Sequence, residues 1–167
     1  MNADISDVAL AMGADPRIGH AMLHAGLGYG GSCFPKDSKA LLETASKEDV
    51  TMLLPEAAAA INFTQPLYFL KKIQRHYPSM KGVKIAMLGL AYKAGTSDLR
   101  NAVSLTMAKY LLEDGAILSA YDPSLSVRET FSASYPSVRV CASKEDAMKG
   151  VDALLIVTEE KEFANLD

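Results

Sequence analysis

Val83 to Arg100 reads V-K-I-A-M-L-G-L-A-Y-K-A-G-T-S-D-L-R, and its first six residues decide the fold class. An apolar run with a β-branched start, Val83 to Leu88, predicts a strand; a glycine-bearing loop follows, and then a helix from about Ala102 to Glu113. Gly115 ends that helix, Ile117 to Tyr121 reads as a second strand, and Asp122-Pro123 turns the chain at its end. Further on, the pattern gives a short third strand at Val138 to Cys141, a short helix at Lys144 to Met148 and a buried fourth strand at Val151 to Val157. Strands that alternate with helices imply right-handed crossovers, hence a parallel sheet with helices on both faces. The fold class expected is α/β, with residues 80–167 as a Rossmann-like half.

Tyr77-Pro78-Ser79 marks the boundary of that half, and residues 1–79 read as a helical arm. Ile5, Val8, Ala9 and Met12 stand at helical spacing over residues 4 to 12, and Gly13 stops the run. A second helix is expected over 35 to 47 and a longer one over 52 to 77, where Leu53, Ala57, Ala60, Ile61, Leu67, Leu70 and Ile73 roughly sustain an apolar stripe. Pro66 predicts a kink or a local break near Thr64 to Gln65. A helix with this much apolar surface calls for a partner.

The chemistry-bearing stretch lies in the arm. Ala25 to Leu42, A-G-L-G-Y-G-G-S-C-F-P-K-D-S-K-A-L-L, sets glycines 26, 28, 30 and 31 ahead of Cys33 and then opens a helix. Glycines let the backbone approach a ligand and take positive φ, and Pro35 suits a first helical turn. Cys33 is therefore expected at or just before a helix N-terminus, where the dipole, with Lys36 and Lys39, favours a nucleophilic sulfur. Asp37 falls one turn on, on the same face. The competing reading is a small buried cysteine.

Composition bounds the rest. The chain has 167 residues, 49% hydrophobic and 22% charged, with net charge -3. It is not basic, so nucleic acid and anionic membranes are poor partners. Asp4 and Asp7 fall where a signal peptide needs basic and then apolar residues, and no run of about 18 uncharged apolar residues exists, so a cytoplasmic protein is expected. Cys33 and Cys141 match neither a disulfide framework nor a metal pattern, and His20 and His24, four apart, have no third ligand in view. No metal site is expected.

G-Y-G-G-S-C-F-P-K-D at 28–37 resembles the catalytic cysteine segment of the UDP-glucose 6-dehydrogenases, within the nucleotide-sugar dehydrogenases that act on UDP- and GDP-sugars. The segment D-P-R-I-G at 15–19, the run L-G-L-A-Y-K-A-G-T-S-D-L-R with A-Y-D-P at 120–123, and T-E-E-K-E-F at 158–163 resemble further motifs of the same family. Where common relatives have F-K-P-N-T-D-D-x-R, this chain has Tyr92, Ala94, Gly95 and Ser97, and leaves Lys93, Thr96, Asp98 and Arg100 in register; Glu160 stands in place of a tryptophan. The resemblance implies a UDP-binding domain at 80–167 and a central helical region at 1–79 that builds a homodimer. It implies that Arg17 crosses that dimer to the partner's sugar site, that Tyr29, Gly30 and Lys93 contact the UDP-sugar substrate, and that Lys36 and Arg100 contact the cofactor NAD. The implied reaction oxidises a sugar C6 alcohol to a carboxylate in two hydride transfers. Cys33 carries a thiohemiacetal and then a thioester, and Asp37 orients or deprotonates the hydrolytic water.

The family's NAD-binding domain, and a helix with a catalytic lysine and asparagine, are expected ahead of the motifs seen here, so the chain reads as a fragment without turnover of its own. The loop G-L-A-Y-K-A-G lacks the G-x-G-x-x-G fingerprint, which argues against an NAD site in residues 80–167. The Cys-Phe-Pro-Lys-Asp form leans toward UDP-glucose; UDP-N-acetylmannosamine and GDP-mannose remain open alternatives, as does a UDP-sugar-binding and dimerising module that performs no chemistry.

Overall fold

A computed structural model describes residues 3–166. Three helices come first: α1 (Ile5–Gly13), α2 (Phe34–Lys47) and α3 (Leu53–Gln74). Then follow β1 (Lys84–Leu88), α4 (Val103–Glu113), β2 (Ile117–Tyr121), α5 (Leu125–Ser134), β3 (Arg139–Val140), α6 (Lys144–Met148) and β4 (Ala153–Ile156). The sheet is parallel in the order β3-β2-β1-β4, with Ile85 beside Leu118 and Ala153.

The strand period of two divides the core between the faces of this sheet. Ile85 and Met87 of β1 and Leu118 and Ala120 of β2 share one cluster with Met107, Ala108 and Leu111 of α4 and Val127 and Phe131 of α5. Leu88 and Tyr121 share the other cluster with Cys141, Ala147 of α6 and Phe163. Helices thus cover both faces, as the alternation of elements requires. Each fully buried Phe131 or Met107 side chain contributes roughly 2–3 kcal/mol by leaving water.

Several elements differ from the sequence reading. Helix α5 was not expected: of the apolar residues of L-S-V-R-E-T-F-S-A-S, Leu125 stays exposed and only Val127 and Phe131, one turn apart, are buried, too faint a stripe to read before the sheet exists to receive it. The third and fourth strands are shorter than Val138 to Cys141 and Val151 to Val157. Strand β4 is not buried throughout, since it lies at the sheet edge with Leu154 and Ile156 about 40% exposed (41% and 39%). The break near Thr64 to Gln65 is absent, because α3 runs continuously through Pro66. The proline removes the hydrogen bond that would reach the Asn62 carbonyl. The segment is held from outside, however: Pro66 is buried, the Asn62 side chain grips Tyr29, and Gln65 Nε2 donates to Gly26 O at 3.0 Å.

The apolar surface of α3 does not form one stripe. Phe69, Leu70 and Ile73, near its C-terminus, pack on the sheet cluster, whereas Leu53, Leu54, Ile61 and Phe63 stand in solvent.

Past β1 the chain turns at Gly89, whose φ is 78° and whose added Cβ would lie 2.3 Å from the Thr158 carbonyl oxygen. Only glycine brings the ends of β1 and β4 this close. The loop beyond is organised by Asp122, 1% exposed at the end of β2. Its Oδ2 accepts from Leu90 N (2.7 Å) and Ala91 N (3.1 Å), and its Oδ1 accepts from Ser124 N (2.9 Å). Thr158 Oγ1 donates to Ala91 O at 2.6 Å. Asp122→Ala would strand three backbone donors, two of them on buried residues, and is expected to cost about 3 kcal/mol, with Asp122→Asn costing less. Urea unfolding of the two variants measures the difference, and an unchanged midpoint for Asp122→Ala would contradict this account.

Candidate functional site

Cys33 is the residue that caps the N-terminus of α2, with Pro35 in the first turn. Its carbonyl accepts the Asp37 N–H at 2.8 Å, its Sγ lies 3.6 Å from Ser32 Oγ, and the residue is exposed. The buried-cysteine reading is therefore excluded for Cys33 and describes Cys141 instead. Asp37 lies one turn on, and its carboxylate pairs with Lys36 Nζ at 3.2 Å; Lys39 pairs with Glu43 at 3.7 Å. Both lysines thus turn to neighbouring carboxylates. All four side chains are more than half exposed, so these pairs open at little cost.

The glycine loop is gripped from two sides. From α3, Asn62 takes both backbone groups of Tyr29: its Oδ1 accepts Tyr29 N at 2.7 Å and its Nδ2 donates to Tyr29 O at 3.1 Å. The Tyr29 ring meets Phe34 edge-on at 4.7 Å. From the sheet half, Gly31 N donates to Arg100 O at 2.9 Å, and Asn101 Nδ2 donates to Gly31 O at 3.0 Å. A Cβ on Gly30 would lie 2.2 Å from Asn101 O, and one on Gly31 would lie 2.8 Å from the Tyr92 ring. The fold thereby joins two motifs some 70 residues apart.

On the sheet side, Lys93 is exposed, and its carbonyl accepts Thr96 Oγ1 at 2.7 Å. Glu160 Oε1 accepts Gly95 N at 2.8 Å, tying the departure at Glu160 to the departure at Gly95. Arg100 grips Asp98 through Nε (3.0 and 3.1 Å) and Nη2 (2.8 Å). Those hydrogen bonds, then the Asp98 charge, raise the Arg100 guanidinium above its usual value, with smaller contributions from Cys33 and Tyr92. The same hydrogen bonds lower the Asp98 carboxyl, so the clamp is fully formed above the ordinary carboxylate range and is lost only as pH falls through the depressed value.

Cys33, Gly30, Tyr29 and Arg100 are thus assembled around one loop contact. Arg17 is not among them: its side chain is 87% exposed, and its guanidinium pairs with Asp15 inside its own turn at 2.6 Å. His20 and His24 are exposed, and among the described residues no cluster of three or more His, Cys, Asp or Glu is placed to hold a metal ion. No helix among them is long and apolar enough to cross a membrane. Sequence reading missed Asn62 and Asn101, since a lone asparagine carries no pattern, and Tyr92 was read only as a departure from the family motif.

Two family models match. The central domain of the UDP-glucose/GDP-mannose dehydrogenase family covers residues 1–64, and the UDP binding domain of the same family covers residues 86–167. The chain belongs to this family. It is 39% identical over 165 residues to the putative UDP-glucose 6-dehydrogenase YtcA of Bacillus subtilis, an alignment covering 99% of this chain and 38% of that protein. A UDP-glucose dehydrogenase structure from Pyrobaculum islandicum superposes with a TM-score of 0.90 at 31% identity, over 96% of this chain and 37% of that one. A UDP-D-ManNAc dehydrogenase structure from Pyrococcus horikoshii gives 0.77 at 27% identity, over 99% and 36%. The chain therefore spans under two-fifths of the length of the relatives it matches.

The two thiols of this dehydrogenase-family chain should react differently. Burial pushes the Cys141 thiol above its ordinary value of 9.0, and only 8% of the residue is exposed. With limiting iodoacetamide in the folded chain, Cys33 is expected to label first across neutral pH, and Cys141 only above the ordinary thiol range or on unfolding. Peptide mass analysis reads the order, and faster labelling of Cys141 would overturn it.

Proposed function

We propose that this chain is the cysteine-bearing and nucleotide-sugar-binding part of an NAD-dependent UDP-glucose 6-dehydrogenase, with residues 1–79 as the central, dimer-building region and 80–167 as the UDP-sugar-binding domain. One observation carries the reading: the glycine loop ahead of Cys33 docks on the loop that bears Lys93 and Arg100, so two motifs of one enzyme family meet in space. In this reading Lys93 neutralises the diphosphate of the substrate, while Gly30 and Tyr29 line the sugar with close-approaching backbone. NAD, two molecules in succession, supplies the acceptor for the two hydrides, one each, and Lys36 and Arg100, exposed cations on the Cys33 helix and on the loop docked against the Cys33 segment, suit its phosphates.

The β1 loop does not suit that dinucleotide. In dinucleotide-binding sheets an acidic residue at the end of the second strand takes the ribose hydroxyls. Here Asp122 is buried and already accepts three backbone N–H groups.

Cys33 adds its sulfur to the C6 aldehyde left by the first oxidation, forming a thiohemiacetal. The C–S bond retains that carbon through the second oxidation, which leaves a thioester. Asp37, released from Lys36, orients water against the thioester carbonyl and takes its proton; the C–S bond breaks, the carboxylate leaves and the thiol is restored.

Assembly belongs to the same reading. Leu53 and Leu54, 72% and 84% exposed, lie with Ile61 and Phe63 on the free part of α3, apolar side chains that a partner would take out of water. A two-fold dimer through α3 covers that surface and leaves Arg17 free to reach the partner's Cys33 loop.

Calorimetry of the chain with UDP, UDP-glucose, UDP-N-acetylmannosamine and GDP-mannose tests the binding half. UDP-glucose is expected to bind, with Lys93→Ala weakening it by about ten-fold or more, the weight of a charge-assisted contact; GDP-mannose preferred over UDP-sugars would overturn the assignment. Mixed with NAD and UDP-glucose, the chain alone is expected to yield no NADH, and Cys33-dependent NADH would show it complete. Sedimentation at tens of micromolar should give a dimer, and a monomer there would remove the assembly.

A further inference from the structure

We propose that Asn101 is a positioning residue: its side-chain amide holds the Cys33 loop against the nucleotide-facing loop, so that a ligand on residues 92–100 sets the placement of the sulfur. For the identity of that ligand the inference rests on the function proposed above.

Asn101 has φ 51°, in the left-handed region that asparagine tolerates better than most residues. This conformation ends the 92–101 loop just before Ala102, the N-cap of α4. A turn residue needs no more than that, and glycine would supply it. Asn101 does more: its Nδ2 reaches Gly31 O at 3.0 Å, while Gly31 N reaches Arg100 O at 2.9 Å, so the loop is bonded at both backbone groups of one residue. Because the partner is a carbonyl oxygen, the donating face of the amide must point at it. The carbonyl of Asn101 packs where a Cβ of residue 30 would stand, and the Tyr92 ring packs where a Cβ of residue 31 would stand. The contact is therefore fitted from both sides, and only Ser32 separates it from Cys33. Arg100 supplies one of the bonds through its backbone carbonyl, so the same residue that carries the loop's guanidinium also anchors Gly31.

A ligand that orders or shifts the 92–100 loop must move Arg100 O and Asn101 with it. The Gly31 peptide follows, and Cys33 follows as the cap of α2. The device is a short mechanical link between substrate binding and nucleophile placement, and the side-chain amide of Asn101 is the part that the backbone alone does not provide.

The test compares the full chain with Asn101→Gly, which keeps the left-handed turn and deletes the amide, and Asn101→Asp, which also tolerates the turn but places an acceptor opposite the Gly31 carbonyl. Amide exchange of Gly31 and Ser32 is expected to quicken about five-fold in Asn101→Gly, the factor one net hydrogen bond supplies, and more in Asn101→Asp, while the amides of β1 and β2 keep their rates and certify the fold. In the wild-type chain, saturating UDP is expected to change the alkylation rate of Cys33 about five-fold against Cys141 as internal standard, and this response should fall below two-fold in both variants. Wild-type exchange at Gly31 in both variants, or an undiminished response of Cys33 to UDP, would overturn the proposal. Calorimetry of the wild-type chain reports separately on UDP binding: no heat there counts against the function proposed above, and the Gly31 exchange rates still decide the role of Asn101.

Discussion

The contact on which the site depends is a backbone packed on backbone. Gly30 and Gly31 lie against Asn101 and Tyr92 so closely that neither position has room for a methyl group. Two hydrogen bonds run across that contact, and both link segments about seventy residues apart. Closing so long a loop costs entropy that grows only slowly with length, and it is offset once by the packing of Leu27, which the same segment buries in the sheet cluster. Cys33, exposed at the head of α2, has little burial of its own to fix it. Its position is inherited from the glycines before it and the helix after it.

Asn62 completes the arrangement from the other side. It stands in the middle of α3, one turn before Pro66, and its amide satisfies both backbone groups of Tyr29. The glycine loop is thus suspended between an asparagine on the arm and an asparagine on the sheet half. At Asn62 one side chain both donates and accepts and so satisfies both backbone groups of Tyr29; at Asn101 the amide donates to Gly31 O while the neighbouring Arg100 carbonyl accepts Gly31 N. The apolar residues around the loop provide adhesion without direction; the two amides supply the direction.

The sheet shows how one topology serves different ligands. Its order places a switch between β1 and β4, where open α/β sheets bind ligands beyond the strand ends. At that crevice Gly89 is closed down on Thr158, and Asp122 is turned inward to hold the loop. The polar groups a dinucleotide would use are already spent on the protein itself. Past the strand ends lies the 92–101 loop, where Lys93 is exposed and Arg100 is held by Asp98; in the function proposed above, Lys93 meets the diphosphate there.

The sequence by itself determined the α/β class, the parallel sheet, the short helix at Lys144 to Met148, the placement of Cys33 at a helix start and the family, because strand runs, glycine punctuation and a ten-residue motif are local signals. It did not disclose α5, whose stripe is only Val127 and Phe131, nor the edge position of β4, since burial of a strand depends on neighbours that a run of V-D-A-L-L-I-V does not name. Of the kink or local break read at Pro66, the break does not occur, because the cost of a proline in a helix depends on side chains that hold the flanking turns, here Asn62 and Gln65. It placed Lys36 and Lys39 in the first turns after Cys33, and only the fold shows both of them turned toward the neighbouring carboxylates of Asp37 and Glu43. Only the tertiary structure decided that Asn62 and Asn101, two of the four asparagines, hold the site: a single polar residue has no period to read, and its role is set entirely by which backbone groups the fold leaves unpaired within its reach.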